Sequence, residues 1–185
     1  MVGRTEKPLV NTIREHCRVC YTCVRECPAK AIRIVEGQAE VVGERCIGCG
    51  NCVRVCSQKA KNVLSSVGLT RELLAGNAPV AACIAPSFPA EFVEAKPERV
   101  IGALRQLGFD YVHEVAFGAD LVAREYRRLI EKSPSGRHIA STCPAIVAYV
   151  ERYHPDLVDR LAPIVSPMVA LARYLKQQGP PGLKI

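Results

Sequence analysis

The sequence predicts a small α+β domain organised around cysteines, followed by a larger α/β domain with a parallel sheet. Two observations support this fold class. Eight of the ten cysteines lie within the first 63 residues, in two runs of identical spacing that begin at Cys17 and Cys46. Beyond residue 78, short apolar segments alternate with helical patterns, which is typical of a parallel α/β layer.

Each cysteine run has the spacing C-x-x-C-x-x-C-x-x-x-C, which is that of bacterial ferredoxins with two 4Fe-4S clusters. The runs are formed by Cys17, Cys20, Cys23 and Cys27 and by Cys46, Cys49, Cys52 and Cys56. In this pattern three thiolates of a run bind one cluster and the fourth binds the other cluster. We therefore expect one cluster to be held by Cys17, Cys20, Cys23 and Cys56. We expect the second cluster to be held by Cys46, Cys49, Cys52 and Cys27.

Zinc sites and disulfides are the alternatives for so many cysteines. Zinc sites also use paired C-x-x-C units, but they do not require the longer third gap, the proline after Cys27 and the repeat together. Disulfide frameworks are typical of secreted domains, whereas the opening segment MVGRTEKPLV has no apolar stretch like that of a signal peptide. We expect a reducing, cytoplasmic setting, because thiolates that bind iron must stay unoxidised.

The first 63 residues are assigned to this ferredoxin-like α+β domain. Between the cysteine runs, β-prone segments at residues 31–35 and 39–42 flank Glu36 and Gly37 and predict a hairpin. Residues 64–78 are interpreted as a linker.

The remaining residues, 79–185, are assigned to the α/β domain. Strands are predicted at residues 80–85, 111–115 and 138–141. Helices are predicted at residues 97–107 and 119–131, from Pro144 onward, and from the Ser166–Pro167 cap to Leu175. Residues 183–185 begin another apolar strand, so we expect the domain to be incomplete in this chain.

The net charge of +7 does not by itself indicate a nucleic-acid surface. Residues 1–62 contain eleven Lys and Arg against six Asp and Glu. Eight thiolates and two oxidised cluster cores of about +2 each would add about −4 there. There is no Trp and no basic stretch interleaved with aromatic residues, so we do not expect nucleic-acid binding. The sequence contains no run of eighteen or more apolar residues, so we predict no membrane-spanning helix.

Three short segments of the second half resemble the iron-only hydrogenase large-subunit family, in the domain that holds its active-site cluster. The segments are APSFPAE at residues 85–91, STCPA at 141–145 and SPM at 166–168, in the family's order. The resemblance covers the first lobe of that domain. It implies a hydrogenase-like α/β lobe that exchanges electrons with the ferredoxin-like domain.

The resemblance also bears on Cys143 and Thr142. It implies that Cys143 is a ligand of the active-site cubane, but only in a longer or assembled protein, because the family's other three cluster cysteines lie in motifs absent here. Thr142 stands where the family has a proton-carrying thiol, and a hydroxyl is a far weaker acid. This change is similar to the sensory branches of the family. We therefore assign no catalytic residue and interpret Cys83, within an apolar run, as a buried structural thiol.

The predicted function is the transfer of single electrons between two 4Fe-4S clusters and a hydrogenase-like domain. The expected partner is a redox protein or a downstream hydrogenase or signalling domain. Two alternatives stay open: the N-terminal part of a working iron-only hydrogenase, and a module that senses redox state or hydrogen. Because most active-site cysteines of the family are missing, the sequence leaves open whether the protein is an enzyme.

Overall fold

The computed structural model describes residues 9–185. The strands are β1 (Val10–Thr12), β2 (Ile32–Val35), β3 (Gln38–Val41), β4 (Lys61–Val63), β5 (Ala81–Ile84) and β6 (Tyr111–Glu114). The α-helices are α1 (Thr22–Arg25), α2 (Asn51–Arg54), α3 (Val67–Leu74), α4 (Phe88–Glu91), α5 (Pro97–Gln106), α6 (Val115–Lys132), α7 (Pro144–Tyr153) and α8 (Pro167–Gln178). Short 3₁₀ helices cover Arg14–His16 and Pro155–Arg160.

The chain divides into two compact units. The first unit extends to Ser65 and also contains Cys143–Leu161, whereas the second consists of Ser66–Thr142 and Ala162–Ile185. The sequence placed residues 143–161 in the hydrogenase-like domain, but their contacts group them with the cysteine runs. Residues 1–8 of the predicted first domain lie outside the described residues.

Two antiparallel strand pairs belong to the first unit. β2 pairs with β3 through the turn at Glu36 and Gly37, as the predicted hairpin requires. Both turn residues have positive φ, 48° and 71°, which is the geometry of a type I′ turn. β1 pairs with β4, which the sequence did not predict, and this pairing places Thr12 opposite Lys61.

The two cysteine runs share a backbone shape as well as a spacing. Each run contains a helix of four residues, α1 in the first and α2 in the second. Positive φ recurs at matched positions of the two runs, in the pairs Val19 and Gly48, Tyr21 and Gly50, and Lys30 and Lys59. Positive φ is uncommon outside glycine, so its recurrence at non-glycine positions indicates that the loop shape is imposed by the run as a whole.

The second unit contains the predicted parallel strand pair. β5 and β6 pair in parallel, with Ala81 opposite Tyr111. Lys184 forms an isolated parallel bridge with Val80, so residues 183–185, predicted to begin a strand, lie next to the residue that precedes β5. α6 begins at Val115, directly after β6 and four residues before the predicted start.

The predicted strand at residues 138–141 is not one of the strands in the described part of the chain. Its polar groups are bonded elsewhere. The Ser141 backbone N–H donates to Tyr126 Oη at 3.1 Å, and its hydroxyl donates to the Ile164 carbonyl at 2.5 Å. The Ile139 carbonyl accepts from the Ala162 N–H at 2.9 Å. Ile139 takes part in a single β-bridge, so within the described part of the chain the pairing of this segment does not extend to a strand.

The predicted helices are present, with differences at their ends and faces. The Ser166 side chain accepts from the Val169 N–H at 3.4 Å, so the predicted cap of α8 forms. The predicted linker contains α3. Leu107, the C-cap residue of α5, and Ile130 of α6 end the apolar patterns of their helices but are 66% and 60% exposed.

α6 packs against α8 at a close approach in the second unit. Leu171 of α8 is 1% exposed and belongs to a core with Val115 and Leu175. Gly118 of α6 faces the Pro167 carbonyl and Leu171 so closely that a Cβ there would overlap the carbonyl oxygen. The absence of a side chain at Gly118 therefore permits this helix pair.

We predict that Gly118→Ala destabilises the second unit by about 2 to 3 kcal/mol, because the added methyl group must displace backbone rather than a flexible side chain. Urea unfolding followed by far-UV circular dichroism measures the change. Gly102→Ala in α5 is the matched control, since a Cβ there meets no atom within 4 Å. The control should stabilise the protein by about 0.5 to 1 kcal/mol, and equal effects of the two substitutions would contradict the packing argument.

Candidate metal centre

Four cysteines line one small cavity, here called the first cavity. They are Cys17, Cys20, Cys23 and Cys56. Three of them come from the first run and one from the second run. The wall of this cavity also includes Ala39, Ala60 and Lys61.

A second small cavity, here called the second cavity, is lined by the other four cysteines of the two runs. They are Cys27, Cys46, Cys49 and Cys52. The rest of its wall is mainly apolar and includes Val10, Ile32 and Val41. In both cavities the fourth thiol is therefore the last cysteine of the other run, which is the arrangement expected for exchanged ligands.

The donor set fits iron-sulfur clusters. Thiolate is the ligand that these clusters require, and four thiolates serve one 4Fe-4S cluster. A structural zinc site instead needs four ligands about 2.3 Å from a single point. Among residues 9–185, no group of three His, Cys, Asp or Glu side chains is gathered around a single-ion position. Thiols spread around a cavity suit a polynuclear cluster better than one zinc ion.

Backbone N–H groups point at the sulfurs in a repeated pattern. The Ala31 N–H donates to Cys27 Sγ at 3.3 Å, and the Ala60 N–H donates to Cys56 Sγ at 3.2 Å. These two cysteines are the exchanged fourth thiols of the two cavities. Such hydrogen bonds favour the thiolate form and tune the reduction potential of a bound cluster.

Burial and nearby charge act on the thiols in opposite directions. Desolvation by burial raises the pKa of Cys23 and of Cys52, and the Lys61 ammonium opposes that rise at both. At exposed Cys20 the hydrogen bond with the Thr22 hydroxyl, at 3.5 Å, lowers the pKa. Coordination to a metal would deprotonate these thiols outright.

Side chains of helix α7 form hydrogen bonds with the loop of residues 43–46, where the second cysteine run begins. The Arg152 guanidinium donates to the Gly43 carbonyl at 3.3 Å and also to the Cys46 carbonyl. Tyr153 Oη lies 2.9 Å from the Ala29 carbonyl. It also lies 2.9 Å from the Arg45 carbonyl, and its single proton serves one acceptor at a time. The sequence carried no signal for these contacts, because they join positions more than 100 residues apart.

Cys143 and Cys83 lie outside the two cavities. Cys143 is the exposed N-cap residue of α7. Within the described residues it is not part of a group of three or more potential metal ligands. Cys83, which was predicted to be buried, is half-buried against the core of the second unit, and burial raises its pKa.

Among residues 9–185, no helix has both the length and the apolar character needed to cross a membrane.

Two protein-family models match the chain. The model described as "Iron only hydrogenase large subunit, C-terminal domain" matches residues 78–183. The model described as "4Fe-4S dicluster domain" matches residues 9–57. The second match contains all eight cysteines of the two cavities, and the first match covers more than half of the chain.

Individual relatives agree with these matches. Iron hydrogenase 1 of Clostridium pasteurianum is 37% identical over 73 residues, which cover 37% of this chain and 13% of the relative. Cytosolic Fe-S cluster assembly factor NAR1 of Yarrowia lipolytica is 32% identical over 87 residues, which cover 47% of this chain and 17% of the relative. A solved FeFe-hydrogenase structure aligns with a TM-score of 0.50 and 26% identity over 65% of this chain and 36% of that chain. The chain thus spans a minor part of the length of each.

We predict that Cys56→Ser removes the cluster of the first cavity and leaves that of the second, so that reconstituted iron falls from about eight to about four per chain. Adding Cys17→Ser should then cost no further iron, whereas adding Cys46→Ser should remove the remainder. Iron and sulfide analysis after anaerobic reconstitution measures both steps. The opposite pattern in the double variants would show that each run binds its own cluster.

We predict that Tyr153→Phe weakens the second cavity, because loss of the phenol proton removes a hydrogen bond worth about 1 kcal/mol. Chelator-driven bleaching of the reconstituted protein should become about fivefold faster in its cluster-loss phase. Tyr149→Phe on the same helix is the matched control, since the Tyr149 hydroxyl contacts only His154 among the described residues. Equal bleaching rates for Tyr153→Phe and the control would contradict the role of α7.

Proposed function

Because the chain belongs to the family of the iron-only hydrogenase large subunit, C-terminal domain, and carries a 4Fe-4S domain before it, we propose that it transfers single electrons through two 4Fe-4S clusters. The hydrogenase-like region would be the immediate source or acceptor of these electrons. When bound, 4Fe-4S clusters exchange one electron at a time. The observation that carries this proposal is the pair of cavities, each with four thiols.

The chain's own residues would act in three ways. The two quartets of thiols would hold the clusters, with Cys27 and Cys56 exchanged between the runs. The N–H groups of Ala31 and Ala60 would stabilise negative charge on those two sulfurs. Cys20 and Cys49 are exposed, so each cavity has a sulfur at the surface through which a redox protein could exchange electrons.

The hydrogenase-like region would not turn over hydrogen by itself. Cys143 is one thiol of the several that an active-site cluster requires, and Thr142 offers a hydroxyl in place of a proton-carrying thiol. We propose that any active-site cluster at Cys143 needs thiols from elsewhere. A working hydrogenase and a redox-sensing module are alternative functions for a longer or assembled protein. Infrared bands of carbonyl and cyanide ligands in that protein would identify a hydrogenase active site.

A second candidate function is the delivery of clusters to other proteins. The similarity to a protein named as a cytosolic Fe-S cluster assembly factor favours it, as does the exposure of Cys20 and Cys49. Either function implies a reducing compartment, because eight free thiols must remain reduced until metal binds.

We predict that the anaerobically reconstituted chain binds about eight iron and eight sulfide ions and undergoes reversible one-electron reduction detectable by electron paramagnetic resonance. Cys20→Ser should lower the iron content, whereas Cys83→Ser, outside the cavities, should not. Zinc in place of iron in the purified protein, or unchanged iron in Cys20→Ser, would contradict the proposal. Incubation with a cluster-free ferredoxin separates the two functions, because delivery moves iron to the acceptor and electron transfer does not.

A further inference from the structure

Lys61 is a charged residue buried within the first unit. It begins β4 and is 5% exposed, and no other charged side chain among residues 9–185 is buried. Burying an ammonium is unfavourable unless hydrogen bonds and an opposite charge compensate for the lost hydration. The position of Lys61 therefore requires a physical explanation.

The internal repeat shows that the fold does not need a lysine there. Ala60 and Lys61 follow Cys56 at the same distance as Ala31 and Ile32 follow Cys27. Ile32, 7% exposed, is an ordinary apolar core residue. One repeat thus places an aliphatic side chain where the other places an ammonium group, so an apolar residue can occupy this kind of position.

The hydrogen bonds of Lys61 hold its ammonium in place without neutralising it. Lys61 Nζ donates to Thr12 Oγ1 at 2.5 Å and to the Ala39 carbonyl at 2.9 Å. Thr12 also donates its own hydroxyl to the Ala39 carbonyl. Both acceptors are uncharged, and the salt bridges among the described residues do not include Lys61. The buried positive charge is therefore without a carboxylate partner there.

The ammonium of Lys61 belongs to a residue in the wall of the first cavity. Lys61 lines this cavity together with Cys17, Cys20, Cys23 and Cys56. A 4Fe-4S core of about +2 held by four thiolates carries a net charge of about −2. A cluster in the first cavity would thus supply the counter-charge that the described carboxylates do not.

We propose that Lys61 is a positioning residue for electron transfer, whose ammonium raises the reduction potential of a cluster bound in the first cavity. Adding an electron makes a cluster site more negative, so a fixed nearby positive charge stabilises the reduced state more than the oxidised state. The effect is assigned to the first cavity, because Lys61 forms part of its wall. This inference rests on the proposed function, since it presupposes a bound cluster.

Redox titration of the reconstituted full chain, followed by electron paramagnetic resonance, tests the role of Lys61. In Lys61→Met the ratio of reduced to oxidised cluster at the wild-type midpoint should fall about tenfold, which corresponds to about 59 mV for one electron. Lys61→Arg, which keeps the charge, should stay within about twofold of the wild type. Lys59→Met is the matched control, because it removes the same charge from an exposed residue two positions away.

The possible outcomes distinguish a failure of the Lys61 proposal from a failure of the proposed electron-transfer function. A wild-type chain that binds no cluster refutes the proposed function. Wild-type iron content with unchanged potentials in Lys61→Met, or a shift no larger than in Lys59→Met, refutes the role of Lys61. If the Lys61→Met variant does not retain its clusters, the Lys61→Gln and Lys61→Arg variants decide. The role of the positive charge is supported if Lys61→Arg retains the clusters and Lys61→Gln loses them, or if Lys61→Gln has a lowered reduction potential. It is refuted if Lys61→Arg loses the clusters or if the reduction potential of Lys61→Gln is unchanged.

Discussion

The first unit depends on the way the two cysteine runs fold together around two cavities. Cys27 lies in the cavity of the second run and Cys56 in that of the first. Each cavity is therefore lined by cysteines of both runs, so its lining forms only when the two runs fold together. Cys23 and Cys27 also belong to the buried core, where their neighbours are mainly small residues such as Ala31 and Ala39. So small a core buries little apolar surface, and metal coordination supplies the cohesion that it lacks.

The same unit recruits a helix from far along the chain. Cys143 caps the N-terminus of α7, and Arg152 and Tyr153 near its end bond to the loop that carries Cys46. The one cysteine that resembles a hydrogenase ligand therefore stands on a helix anchored to the second cavity. This arrangement connects the hydrogenase-like sequence to the cluster-bearing loops through covalent structure and hydrogen bonds, within a single unit.

Charge has two different roles in this protein. The three salt bridges among residues 9–185 are partly or largely exposed, so each contributes about 0 to 1 kcal/mol. They explain little of the fold. Lys61 differs because its charge is buried, is held by Thr12 and Ala39, and belongs to the wall of the first cavity. The overall basic charge is thus less informative than the position of one lysine.

The sequence by itself determined the local features. The spacing of the cysteine runs indicated the two quartets, the residues around Glu36 and Gly37 predicted the hairpin, and the Ser166 cap marked the start of α8. Each of these signals lies within a short stretch of chain, where backbone geometry and ligand spacing restrict the outcome. The parallel pairing of β5 and β6 followed from the alternation of strands and helices.

Only the tertiary structure decided which distant groups meet. It placed the contacts of α7 with the cysteine runs, and it bonded Ser141 to Tyr126 and Ile164. It also buried Lys61. Hydrogen bonds between remote segments depend on the three-dimensional path of the chain. Periodicity in the sequence predicts local helices and strands but not which distant segments come into contact.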